Sequence, residues 1–95
     1  MPNNYSQEIL DKIKEYAGDL MSPSQIAILL DLDEIQFRSD INSKSSPVYK
    51  AYHKGKIITI HKIRSQEVKL AKASSPMAVE LSERYIADME IEENA

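Results

Sequence analysis

The sequence predicts an all-α chain: an N-terminal tri-helical unit of helix-turn-helix type, then a long helix and a C-terminal helix forming an antiparallel hairpin. Three observations predict it. Apolar residues recur three and four apart along most of the chain, the helical period, with no sustained alternation. The pairs Ser22-Pro23, Ser46-Pro47 and Ser75-Pro76 each precede a helix-favouring stretch. Glycine occurs only at positions 18 and 55 in 95 residues, too seldom for the many turns of an all-β fold.

The Ser-Pro pairs read as helix starts. Serine at the N-cap accepts a hydrogen bond from an orphan amide, and proline at the next position has no amide to orphan. Ser22 with Gln25, and Asp33 with Gln36, add capping-box spacing, and Asn4 with Gln7 is a weaker version. The first helix is expected over about residues 5–17, with Ile9, Ile13, Tyr16, Ala17 and Leu20 inward and Gly18 as its left-handed stop. The second covers about 23–30, with Ile26, Ala27, Leu29 and Leu30 inward. The third covers about 34–41, with Ile35, Phe37 and Ile41 as candidate core. The fourth is long, about 47–72, and the fifth runs from about 76 to 90. Met77, Leu81, Tyr85 and Met89 fall at four-residue spacing on one face of the fifth. Residues 1–43 form the tri-helical unit and 44–95 the hairpin, one compact domain in all.

The fourth helix is apolar on two sides. Val48, Ala51, Tyr52, Gly55, Ile58, Ile63 and Leu70 gather on one, and Ile57, Ile60, Val68 and Ala71 on roughly the opposite one. A helix with two apolar faces is sandwiched in a bundle or shared with another subunit. The second set is the candidate oligomer interface. Gly55 inside this helix fits either a close helix crossing or simple tolerance.

Charge is distributed unevenly. Residues 1–43 hold three Lys/Arg against eight Asp/Glu, residues 44–72 eight against one, and residues 73–95 one against six. The cationic belt comprises Lys44, Lys50, Lys54, Lys56, Lys62, Arg64, Lys69 and Lys72. Such a belt suits a polyanion, because phosphate neutralisation dominates nucleic-acid affinity. It equally suits a solvated face paired with the acidic flanks.

Enzyme signatures are missing. There is no phosphate-cradling glycine loop, no HExxH, no CxxC and no GxSxG. Without cysteine there is no disulfide framework and no thiolate metal site. His53 and His61 stand two helical turns apart, too far to share one metal. A non-enzyme without metal or cofactor is therefore expected. No basic-then-apolar leader and no membrane-length apolar run are seen, so a cytoplasmic location and no membrane contact are expected.

Residues 22–41 carry the positive signal. Ala27 occupies the position where two helices of a helix-turn-helix approach closely, and Asp31 falls at the turn, where a left-handed residue is needed. Ile26, Leu30, Leu32 and Phe37 supply the buried positions. On the reading helix, Gln36 and Arg38 have the donor and acceptor groups to meet base edges, with Ser39 beside them. Asp33, Glu34 and Asp40 oppose a phosphate backbone. The phosphate contact therefore moves to Lys44, Lys50, Lys54 and Lys56.

With these residues in view, the chain resembles phage terminase small subunits. The resemblance rests on residues 21–33, on Val48-Tyr49-Lys50-Ala51-Tyr52-His53-Lys54-Gly55-Lys56, and on residues 70–78. It implies a helix-turn-helix that binds double-stranded DNA, a hairpin that assembles a homo-oligomer, and a large terminase subunit as partner, in the cytoplasm of a bacterial host. By position it places Gln36 and Arg38 on the recognition helix. The acidic recognition helix and the short C-terminal extension depart from that pattern. Two other readings of the same unit are a transcriptional regulator and a protein-only adaptor of phage or prophage origin.

Overall fold

A computed structural model describes residues 3–95. The elements are α1 (Gln7–Gly18), α2 (Pro23–Leu29), α3 (Glu34–Ile41), α4 (Pro47–Lys72) and α5 (Pro76–Glu93), with no strand among the described residues. The chain divides into two compact units, 1–59 and 60–95, so the first half of α4 belongs with the tri-helical segment.

Local chemistry sets the helix starts. Ser22 forms the full capping box: its Oγ accepts from Gln25 N at 3.2 Å, and its own amide donates to Gln25 Oε1 at 2.9 Å. At α3 only half a box forms. Asp33 Oδ1 accepts from Gln36 N at 2.9 Å, while the Gln36 side chain turns to Asp40. The Asp33 amide donates instead to Asn3 Oδ1 at 2.8 Å. Ser46 Oγ accepts from Val48 N, whereas Ser75 caps α5 without a side-chain bond. The start of α1 differs from expectation. Ser6, not Asn4, is its N-cap, accepting from Ile9 N at 3.2 Å, which leaves Tyr5 outside the helix.

The helix ends also differ. Gly18 is helical, and Leu20 takes the left-handed conformation (φ 61°). Asp31 (φ 53°) and Ser74 (φ 68°) do the same after α2 and α4. At each, the following amide reaches the carbonyl five residues back: Met21 to Tyr16, Leu32 to Ala27, Ser75 to Leu70. This is the Schellman closure, here without glycine. The sequence signal for it was legible only at Asp31.

In the N-terminal unit, Ile13, Ala17, Ile26, Ala27, Phe37, Ile41, Val48 and Tyr52 form one core. Phe37 and Tyr52 meet edge to face at 6.3 Å, a geometry that places the positive ring edge on the negative face. Three expected core residues are exposed instead: Leu20, Leu29 and Ile35. The short α2 and α3 bury one narrow stripe each, and Leu29 and Ile35 lie outside it, while Leu20 falls beyond the end of α1 where the chain turns left-handed.

α1 and α4 cross so closely that only glycine fits. A Cβ on Gly55 would overlap the Lys14 carbonyl oxygen and come within 3.0 Å of Lys14 Cα. Gly18 faces the same crossing, its hypothetical Cβ 3.4 Å from the Gly55 oxygen and from Thr59 Oγ1. Thr59 Oγ1 donates to the Gly18 carbonyl at 2.5 Å. At the end of α3, His53 Nε2 donates to the Ile41 carbonyl at 2.8 Å, which fixes its proton on that nitrogen. These contacts hold α4 against the tri-helical segment.

The C-terminal unit pairs residues 60–72 of α4 with α5 as an antiparallel hairpin. Arg64 stacks over the Tyr85 ring at 4.5 Å. Leu81 and Tyr85 are half-buried as their spacing suggests, but Met77 and Met89 at the ends of that stripe are exposed.

Gly55→Ala is expected to destabilise the fold by about 3 kcal/mol, the scale of overpacking against a backbone that cannot yield. Gly18→Ala, at ordinary contact distance, is expected to stay within about 1 kcal/mol of the parent. Urea unfolding followed by circular dichroism compares the two, and equal effects would contradict the crossing.

Candidate nucleic-acid interface

The first half of α4 exposes its cations on two flanks. Val48, Tyr52 and Gly55 are buried, which turns Lys50 and Lys54, one turn apart, to solvent. Together with Lys14 of α1 they line a groove of about 230 Å³ whose walls include Gln7, Asp11 and Ala51. Lys56 lies on the other flank, its Nζ 6.0 Å from the Tyr52 ring centre. There it lines a second groove, of about 250 Å³, with Leu20 and Met21. Lys44 is exposed in the link between α3 and α4.

Among the described residues the only ion pairs are Lys12–Glu15 and Arg38–Glu34, both on the surface. Among the described residues, no cation of the belt is within ion-pair distance of an acid. A lysine left unpaired on a helix flank keeps its full attraction for a phosphate. Asp11, which accepts from Gln7 Nε2 at 2.9 Å, is the one acid on the rim of the first groove.

The candidate base-reading side chains of α3 make hydrogen bonds within the chain. Arg38 donates through Nε to Glu34 at 3.3 Å and through Nη2 to Ser24 Oγ at 2.6 Å, tying α3 back to α2. Gln36 is half-buried and donates to Asp40 Oδ1 at 2.8 Å. Both base-reading candidates thus hydrogen-bond within the chain, although the half-exposed Arg38 guanidinium keeps further N–H groups, and Ser39 lies exposed beside them. Sequence reasoning placed these side chains on the right helix and could not foresee their partners. It also missed Lys14, which sits in the acidic third of the sequence. The only signal for it was Gly55, and glycine says that something approaches without saying what.

The other acids of α3 hold the fold. Tyr5 Oη donates to Asp40 Oδ2 at 2.5 Å. Asn3 Nδ2 donates to both Tyr5 Oη and the Asp33 carbonyl, so residues 3–5 strap the start of α3. Burial, then the bond to the Asp40 carboxylate, push the Tyr5 hydroxyl up to about 12. Loss of its proton would bring two anions together in a half-buried place.

The four interface candidates fall on both units. Ile57 (56% exposed) and Val68 lie open, while Ile60 and Ala71 are half-buried. In the C-terminal unit only Ala78 is buried, and Ile63, Leu70, Met77, Ile86, Met89 and Ile91 are all exposed. No group of three or more His, Asp or Glu residues among those described could hold a metal ion. None of the described helices is long and apolar enough to cross a membrane. No protein-family model, curated protein or solved structure matches the chain.

The raised Tyr5 group carries a pH dependence. Its folded-state value lies above the unfolded value of 10.0, so its contribution is complete below pH 10 and is lost as pH rises towards about 12. The phenolate absorbance difference between the parent and Tyr5→Phe is expected to titrate near 12. A midpoint near 10.0 would mean that the Asp40 contact is absent in solution.

Proposed function

We propose that the chain is a non-catalytic, DNA-binding assembly protein of phage or prophage origin, akin in role to a terminase small subunit. The observation that carries this reading is the convergence of Lys14, Lys50 and Lys54 on one groove with no ion-pair partner. A duplex backbone supplies phosphates at short, regular intervals, and each neutralised phosphate releases a counterion. Lys44 and Lys56 extend the cationic surface, and Ser39 adds a polar contact. Gln36 and Arg38 position α3 rather than read bases, so the contact is to the backbone and tolerant of sequence.

Assembly is the second half of the reading. A hairpin of 36 residues burying little beyond Ala78 lacks a core of its own. Units below about 40 residues usually need a staple or a partner chain. A homo-oligomer supplies one and multiplies the lysine groove around the complex. A large terminase subunit in a bacterial cytoplasm is the setting the resemblance implies. One observation favours a protein-only adaptor instead: the reading helix presents an acidic and aliphatic surface. A sequence-reading transcriptional regulator fits less well, because its reader would need Gln36 and Arg38 free.

Lys50→Glu with Lys54→Glu is expected to abolish most duplex binding while leaving the fold intact. Neutral Gln at the same two positions is expected to lower the log-log salt slope by about 2, one phosphate contact per lysine. Fluorescence anisotropy with a random-sequence duplex across a salt series measures both. Undiminished binding by the Glu variant would defeat the lysine-groove reading. No binding by the parent at low salt, from an oligomer confirmed by light scattering, would favour the adaptor.

A further inference from the structure

The outer face of the helix-turn-helix is built like a protein-docking surface. Ile35 at the start of α3 is 84% exposed, Ile28 near the end of α2 is 75% exposed, and Leu29 is half open. These three flank the turn between the two helices. Asp31, Asp33 and Glu34 lie exposed between them. The one nearby cation, Arg38, is already bonded to Glu34 and Ser24. Aliphatic side chains in an anionic frame repel a nucleic acid and suit an apolar helix carrying lysines.

The chain contains such a helix. Residues 60–72 of α4 carry four Lys/Arg against Glu67. Ile63 and Leu70 stand seven residues apart, hence on nearly one face, and both are exposed. Lys62 and Lys69 repeat the same interval beside them, and neither forms an ion pair among the described residues. A stripe of two aliphatic anchors, each with a lysine next to it, is the form in which a helix enters an apolar groove.

We infer that the Ile28–Ile35 face of one molecule receives residues 60–72 of α4 from a second copy of the chain, with Ile63 and Leu70 as anchors and Lys62 and Lys69 facing Asp31, Asp33 and Glu34. The two surfaces differ, so the contact is heterologous. Each copy uses its face on one neighbour and its helix on another, and the assembly grows head to tail. The inference rests on the oligomeric half of the proposed function and not on DNA binding.

Two single substitutions at exposed positions test it. Ile35→Lys spoils the face and leaves the helix stripe whole. Leu70→Lys spoils the stripe and leaves the face whole. Light scattering on the full chain is expected to show an oligomer for the parent and monomers for each variant, with unchanged circular dichroism. An equimolar mixture is expected to give a species of two chains and no larger, because one sound junction remains. Assembly of either variant like the parent, or a mixture that stays monomeric, would overturn the head-to-tail contact while leaving the oligomeric reading in place. A monomeric parent would overturn both.

Discussion

The crossing of α1 and α4 at Gly55 is the constraint on which the N-terminal unit depends. A helix pair that meets backbone to backbone has no side chains to set its angle, so absence of a Cβ decides its place. Once Gly55 lies on the Lys14 carbonyl, Val48 and Tyr52 fall into the core and Thr59 reaches the end of α1. The chain's two glycines, remote in sequence, serve this one contact. The same geometry carries Lys14 to the flank of Lys50 and Lys54, so the packing requirement and the cationic groove have a common origin.

Much of the fold was legible in the sequence because its signals are local. Proline after serine fixes a helix start within a residue, and α3 and α4 begin and end where the residues indicate. What escaped was tertiary. Leu29 and Ile35 have helical spacing and lie outside, because periodicity gives the direction of a stripe but not its width, and Leu20 lies outside because the helix ends before it. Leu20 and Ser74 adopt left-handed closures that glycine usually marks. The candidate site divides likewise. Lys50 and Lys54 were identifiable from charge and spacing, whereas Lys14 enters only through a contact 41 residues away. Gln36 and Arg38 sit on the expected helix, but their hydrogen bonds belong to the fold.

The acids in and just before α3 then acquire separate explanations. Asp33 and Asp40 are structural: one caps α3 and takes Asn3, the other accepts from Tyr5 and Gln36. Their negative charge is a consequence of how α3 is fastened. Asp31 satisfies a backbone demand for a left-handed residue. Glu34 has only a surface pair with Arg38 and is the acid whose position no packing requirement dictates.

That distinction bears on how the two charged surfaces would divide their work under the proposed function. A helix-turn-helix that reads DNA has cations flanking the reader, so that backbone attraction and base contact act at one place. Here the cations lie away from α3 and collect where α4 passes α1, while α3 keeps acids and an exposed isoleucine. Under the proposed function, attraction for phosphate and affinity for an apolar partner would thereby be held on different surfaces of one unit. A surface that must meet both at once would be a compromise, since lysines solvate an apolar anchor and acids repel a duplex. Separation removes that conflict, and it makes simultaneous occupation by a polyanion and a basic helix electrostatically compatible.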